Sequence, residues 1–402
     1  MSQSPTKQVE VVNISRIIGK LQGKEPGPTL IFFGGIHGNE PSGVKALEHV
    51  FREIKEKGIE TKGTVYGIRG NIPALLQEKR FLRSDLNRMW TQKGIDQIKN
   101  KHNGDRNDEE RELAEIYRLL KDILENQPPP FYFIDYHTTS SETLPFITIN
   151  DAMINRKFAK RFPVPVILGI EEYLEGPLLS YINEKGYVTI GFESGQHFTE
   201  EAEINSIAFT WLSMMQTGTL VPHPEIEKAA FCEQLRLSAQ GNRNFYEVIH
   251  RHKITSEDNF EMIVGAQSFD SITKGTQFAR HNGEVIEAEN DAILFMPLYQ
   301  DQGEEGFFLI RKIPRWALRF SAFLRHIQFD NFLTMLPGIN RVSERSEILM
   351  VDLKIARFFS KPFFHLLGYR ERVVDKTHMA LYNRERAAKN NMYRETSWYR
   401  NS

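Results

Sequence analysis

Cysteine is almost missing from this chain: Cys232 stands alone among 402 residues. No internal disulfide can form and no cysteine-rich metal site can be built, and a lone thiol fits a reducing compartment. Charge of one sign is missing too. The 51 Lys and Arg residues against 52 Asp and Glu leave a formal net charge of -1, which removes any global electrostatic case for nucleic acid or an anionic membrane. No uninterrupted apolar run approaches the length of a membrane span, and residues 1–8 are polar, without the apolar centre of a secretory signal. Internal repeats and low-complexity tracts are absent as well. What remains is a globular protein expected in the cytoplasm, with no nucleic-acid partner and no membrane span. A homo-oligomer is compatible with this composition.

The length allows two or three domains, each with its own core. Residues 1–225 alternate short apolar strands with amphipathic helices, which predicts an α/β domain: a mostly parallel mixed sheet with helices on both faces. Past Pro222 and Pro224 the texture changes. Residues 226–312 open on a helix-length segment and continue in short alternating runs cut by glycines, as in a smaller β domain. Residues 313–402 read as a helical C-terminal extension rich in aromatics and arginine, with Trp316, Phe320, Phe323, Leu324 and Phe329, then Phe358, Phe359, Phe363 and Phe364. A basic aromatic helix can lie on a membrane or bind a partner; packing its aromatic face onto its own chain is the commoner outcome and the one expected here. The last 25 residues are charged and expected to be loosely ordered.

The chemistry gathers around Gly34-Gly35-Ile36-His37-Gly38-Asn39-Glu40-Pro41-Ser42-Gly43. An apolar run, Thr29-Leu30-Ile31-Phe32-Phe33, precedes it as a buried strand, and helical spacing follows over residues 44–54. His37 and Glu40 therefore sit on a glycine-rich turn at the carboxyl end of a strand, where open α/β sheets bind ligands. A His and a carboxylate three residues apart can reach one metal ion, although solvent-facing residues on an ordinary turn are commoner for this spacing alone. His137, at the end of the strand 131–137, supplies a third ligand at the same sheet edge. Two His and one carboxylate with an open position is a catalytic zinc set. Asp135, two residues earlier, is placed to orient a ligand from behind. Glu193 ends another strand and is the candidate general base and acid. Arg80, Asn87 and Arg88 suit a carboxylate-bearing substrate, and an arginine near the metal can also stabilise a developing oxyanion.

Together these motifs resemble the succinylglutamate desuccinylase/aspartoacylase family of zinc-dependent deacylases, related to the zinc carboxypeptidases. The matching pieces are Gly35-x-His37-Gly38-Asn39-Glu40, Asn71-x-Pro73-Ala74 with Arg80, Asp85-Leu86-Asn87-Arg88, Asp135-x-His137 and Gly191-Phe192-Glu193. The resemblance implies one zinc ion held by His37, Glu40 and His137, Glu193 as general base, Arg80 as carbonyl polariser, and Asn87 with Arg88 as binders of the substrate's α-carboxylate. It also implies a β domain behind the catalytic one. Three features depart from the family. The stretch 180–184 has no arginine to grip an acyl-chain carboxylate as the aspartoacylase members do, Thr138 stands where those members have Asn, and Tyr299 is the nearest match to the aromatic residue that the family's second domain sends in. Residues 313–402 have no counterpart in the family pattern.

The expected function is hydrolysis of the amide bond of an N-acyl amino acid or similar small amide by a metal-activated water. The alternatives are a carboxypeptidase-like hydrolase of peptides or amino-acid conjugates, and a non-catalytic zinc-binding scaffold.

Overall fold

A computed structural model of the chain describes residues 14–263, 265–342, 348–352, 354–355, 364, 367–373 and 377–400. The polar segment 1–8 and the residues Phe358, Phe359 and Phe363 lie outside the described residues.

Seven strands come first: β1 (Ile17–Gln22), β2 (Glu25–Gly34), β3 (Lys62–Arg69), β4 (Phe131–Thr139), β5 (Phe146–Ile149), β6 (Val166–Leu168) and β7 (Val188–Gln196). They lie side by side in the order β1-β3-β2-β4-β7-β5-β6. β2 runs parallel to both β3 and β4, and β4 parallel to β7, while β1 and β5 run antiparallel to their neighbours β3 and β7. This is the mostly parallel mixed sheet expected. Its strands are apolar on both faces because helices cover both. Leu30 and Phe32 of β2 pack with the helices Ser42–Lys57 and Glu200–Thr217, whereas Ile31 and Phe33 pack with Gln92–Asn100 and Asp108–Asn126. The last of these helices starts at a capping box, Asn107 with Glu110, and three prolines follow it. The chain leaves β2 toward β3 on one side and returns to β4 on the other, so the carboxyl ends of β2 and β4 flank a crevice.

Seven further strands follow: β8 (Phe245–Lys253), β9 (Phe260–Met262), β10 (Ser271–Ile272), β11 (Gln277–His281), β12 (Glu284–Glu287), β13 (Ala292–Phe295) and β14 (Glu305–Lys312). β8 pairs in parallel with β6, and β14, β13 and β10 continue from it, giving one 11-stranded sheet. β9, β11 and β12 form a separate three-stranded sheet. The edge that β6 leaves open is thus paired rather than exposed.

The extension opens on the expected helix, Arg315–His326, then departs from a helical pattern. Strands β15 (Ile339–Arg341), β16 (Ile348–Asp352), β17 (Tyr369–Val373) and β18 (His378–Asn383) form a four-stranded antiparallel sheet with its own apolar cluster, which includes Leu324, Leu349, Val351 and Leu381. Two other expectations are corrected. The last 25 residues are anchored over their described part, because Tyr393 and Trp398 are buried in the main core. The Tyr393 hydroxyl donates to the Phe131 carbonyl at 2.6 Å and accepts from the Val188 N–H at 3.0 Å, and the Trp398 indole donates to the Tyr132 hydroxyl at 2.9 Å. A charged composition hid two aromatic anchors, of which Tyr393 caps β4 and β7 where they begin. Conversely, Trp316, Phe320 and Phe323 do not fold back onto the chain; they face solvent.

A buried ion cluster ties the extension to the α/β body. Asp151 pairs with Arg156 beside it and with Arg325 of the helix Arg315–His326, and Arg325 also reaches Glu385 at 2.8 Å. Arg384 pairs with Glu171 and Glu172. Burial alone would raise the Asp151 carboxyl, but Arg156 and Arg325 outweigh it and hold it well below the usual carboxylate range. Removing one partner leaves buried charges unanswered, so Asp151→Ala is expected to cost about 3–5 kcal/mol in chemical denaturation. A depressed folded pKa makes this stabilisation present above the unfolded value of about 4 and progressively lost as the pH falls below it. The midpoint difference between Asp151→Ala and the unmutated chain is therefore expected to shrink below pH 4.

Candidate active site

The turn after β2 packs too closely for side chains. A Cβ on Gly38 would lie 2.1 Å from the Ala74 carbonyl carbon, and Gly35 holds φ +72°, so only glycine lets the backbone pass here. The Gly38 N–H donates to the Arg80 carbonyl at 3.1 Å, which brings the 80–88 loop against the turn. Glu109, fully buried at the start of Asp108–Asn126, holds that loop from behind by accepting the Leu82 N–H at 2.7 Å. Across the sheet, His137 of β4 stands in register with Glu193 of β7, so both emerge at the same edge as the turn.

His37, Glu40 and His137 meet there, each buried or nearly so, with ligand-type atoms all within 4.8 Å of one another. His37 Nδ1 lies 2.8 Å from Glu40 Oε1, and His137 Nδ1 lies 2.9 Å from Glu40 Oε2. The far nitrogens are also occupied: His37 Nε2 lies 3.1 Å from Asp85 Oδ1, and His137 Nε2 lies 2.9 Å from Asp135 Oδ2. Each imidazole thus sits between two carboxylates. A neutral ring has one N–H, so one of its two contacts sets lone pair against lone pair unless a cation lies there. With Asp85 and Asp135 taking the Nε2 protons, both Nδ1 lone pairs and the Glu40 oxygens face a common point. That donor set, with carboxylates behind both rings, fits a divalent metal such as zinc.

The electrostatics agree with a cationic centre. Burial alone would raise Glu40, but His37 and His137 outweigh it and hold its carboxyl well below the usual range. Burial would lower His137, yet Asp135 and Glu40 raise it well above the ordinary imidazole value. Glu193 is the contrast. Burial pushes it up to about 8, with His137 pulling the other way, and its Oε2 has no hydrogen-bond partner. Arg80 places Nη2 3.2 Å from Asp85 and Nη1 3.5 Å from Glu40; desolvation opposes its charge, and these acids more than restore it.

Arg80, Asn87, Arg88 and Glu193 line one cavity with the His37–Glu40–His137 cluster. All seven residues singled out in the sequence therefore come together. Asn87 Oδ1 accepts the Leu178 N–H at 2.9 Å, and Arg88 Nη2 reaches Glu305 at 3.2 Å. Tyr299 does not join them: its hydroxyl donates to the carbonyls of Ile263 and Ala266, and Met296 is the nearby side chain that lines the cavity. The sequence reading gave no role to Asp85 or to His197. His197 Nδ1 lies 2.6 Å from the Thr138 hydroxyl and its Nε2 3.1 Å from Gln300, while the Thr138 N–H donates to Glu40 Oε2 at 3.1 Å. Asp85 stands inside the Asp85-Leu86-Asn87-Arg88 motif, and the need of a candidate metal-ligating imidazole for an acceptor on its other nitrogen is the signal that points to it.

Residues 26–211 match the succinylglutamate desuccinylase/aspartoacylase catalytic domain. The chain is 36% identical over 67 residues to the succinylglutamate desuccinylase of Photorhabdus laumondii, covering 17% of this chain and 21% of that protein. It is 25% identical over 115 residues to that of Pseudomonas paraeruginosa, covering 29% and 32%. These alignments thus span about a fifth to a third of the curated relatives they match. Among solved structures, succinylglutamate desuccinylase/aspartoacylase from Rhodobacter sphaeroides aligns with a TM-score of 0.53 at 14% identity, over 73% of this chain and 88% of that one. The product-bound ectoine utilization protein of Ruegeria pomeroyi aligns with a TM-score of 0.52 at 16% identity, with the same coverage. At such identities the structural likeness speaks for the fold. Over residues 26–211, a little under half of its length, this chain is similar to the catalytic domain of the succinylglutamate desuccinylase/aspartoacylase family.

Proposed function

We propose that this chain is a zinc-dependent amidohydrolase that removes the acyl group from an N-acyl amino acid or a similar small amide. The observation that carries the reading is the meeting of His37, Glu40 and His137 at one point, with the unpartnered Glu193 carboxylate lining the same cavity. A zinc ion held by those three residues supplies Lewis acidity, polarising the amide carbonyl and lowering the pKa of water. Glu193 takes the proton of the attacking water and passes it to the leaving nitrogen, a task suited to a carboxyl raised toward neutral pH by burial. Arg80, kept charged by Asp85 and Glu40, stabilises the negative charge that develops on the carbonyl oxygen. Asn87, its Oδ1 already committed to Leu178, offers its amide N–H to the substrate's carboxylate. Arg88 supplies the guanidinium beside it and exchanges part of its Glu305 contact on binding.

The cavity wall away from these groups combines the apolar Ile149, Ile170, Leu174, Leu179 and Met296 with the polar Thr148, Asn150, Ser180 and Thr189, and its carboxylate Glu171 is already paired with Arg384. The guanidiniums lining the cavity, Arg80 and Arg88, are both used above. With both committed, a second carboxylate on the acyl group would find no free guanidinium among the residues lining the cavity, so the substrate's acyl group is uncharged. Amine release from acetyl, butyryl and succinyl derivatives of acidic, neutral and basic amino acids, with zinc-loaded protein, tests this. The uncharged acyl groups are expected to exceed succinyl by at least about tenfold in kcat/KM. A succinyl preference overturns the acyl assignment, and no release across the panel overturns the deacylase.

A further inference from the structure

The helix Arg315–His326 has two faces. Its inward face packs Leu318 on the main core and buries Ser321, Leu324 and Arg325, the last held by Asp151 and Glu385. Its outward face repeats at helical spacing: Trp316, Phe320, Phe323 and, just past the end, Ile327, exposed by 70, 47, 56 and 47%. Phe332 and Met335 in the following turn are exposed by 55 and 78%. A single exposed aromatic needs no explanation, but a row along one anchored helix marks a contact surface.

Charge decides what the row contacts. Lys312, Arg315 and Arg319 are exposed around it, and residues 312–329 contain no Asp or Glu. A second copy of this chain docking through the same helix would bring like charges together about the two-fold axis, with no acid on either helix to answer them. An anionic bilayer answers both features, since its headgroups take the arginines and its acyl boundary takes Trp and Phe side chains. We propose that the outward face of this helix docks the protein on an anionic lipid surface, with Trp316, Phe320 and Phe323 entering the interface and Arg315 and Arg319 lying along the headgroups. The net charge of -1 does not oppose this, because attraction to a surface falls off within about 8 Å at physiological salt and is therefore local. No helix among the described residues is long and apolar enough to cross a membrane, so the contact is peripheral.

The test is cosedimentation of the full chain with vesicles of phosphatidylcholine alone and of phosphatidylcholine with 30% phosphatidylglycerol, beside sedimentation equilibrium without lipid. Binding to the anionic vesicles at least about tenfold above the neutral ones, weakening with added salt, is expected. Phe320→Ser with Phe323→Ser should abolish it while shifting the melting curve little, because about half of each side chain is already exposed. Arg315→Gln with Arg319→Gln should remove the preference for anionic vesicles and provides a second readout if the first pair misfolds. Equal pelleting of the unmutated chain and both double variants overturns the proposal. So does a chain that ignores vesicles but dimerises in a way the Phe variants abolish.

Discussion

Glu193→Gln is expected to lower kcat for amide hydrolysis by about 10²–10⁴-fold, the usual contribution of a positioned proton carrier. The amide is the same shape as the carboxylate but cannot take a proton from water and return it to the leaving nitrogen. Glu193 is buried, its Oε2 has no partner, and it is held at about 8 by that burial. Replacing it with the neutral amide therefore leaves no partner stranded, and the melting temperature is expected to hold or rise. Metal content is expected to stay at that of the unmutated chain, because Glu193 is not among the three clustered ligands. The decisive comparison is turnover against metal content on the best substrate of the panel. Unchanged turnover removes Glu193 from the mechanism, and loss of turnover together with loss of metal recasts it as a ligand.

Glu40→Ala is expected to abolish metal binding at the proposed His37–Glu40–His137 site. Among the described residues Glu40 is the side chain that hydrogen-bonds both imidazoles, and its Oε2 also accepts the Thr138 N–H. Without it the two rings face each other, centroids 5.2 Å apart, with the carboxylate gone from the donor set. Loss of a ligand should weaken metal binding by more than about 100-fold, beyond the 10–100-fold typical of an outer hydrogen-bond partner. Asp135→Asn, which keeps His137 in place but weakens the acceptor at its Nε2, should fall inside that smaller range. Metal per chain after dialysis against a graded chelator orders the three proteins as unmutated, Asp135→Asn, Glu40→Ala. Equal retention by all three would mean that the ion is held elsewhere, and activity retained by metal-free Glu40→Ala would sink the metal-assisted reading altogether.

What the sequence determined by itself was local. The turn from β2 to its helix is written in consecutive residues: an apolar run, glycines where a Cβ would strike Ala74, His37 and Glu40 three apart, and a proline before the first helical turn. The two-residue alternation of a strand placed Asp135 and His137 on one face of β4, and strand–helix alternation implied the parallel sheet. The tertiary structure decided everything that depends on distant partners. Asp85 orients His37 from 48 residues away, and Asn39 meets Gln300 across 261. Tyr393 caps β4 from 262 residues on, inside a segment whose composition looked loose. The continuation of the sheet from β6 into β8 depended on an unpaired edge, which no residue pattern records. The outward turn of Trp316, Phe320 and Phe323 was likewise undetermined, because periodicity gives a helix an apolar face but not the direction in which it points. Here the buried pairing of Arg325 with Asp151 and Glu385 on the opposite side of that helix chose the direction.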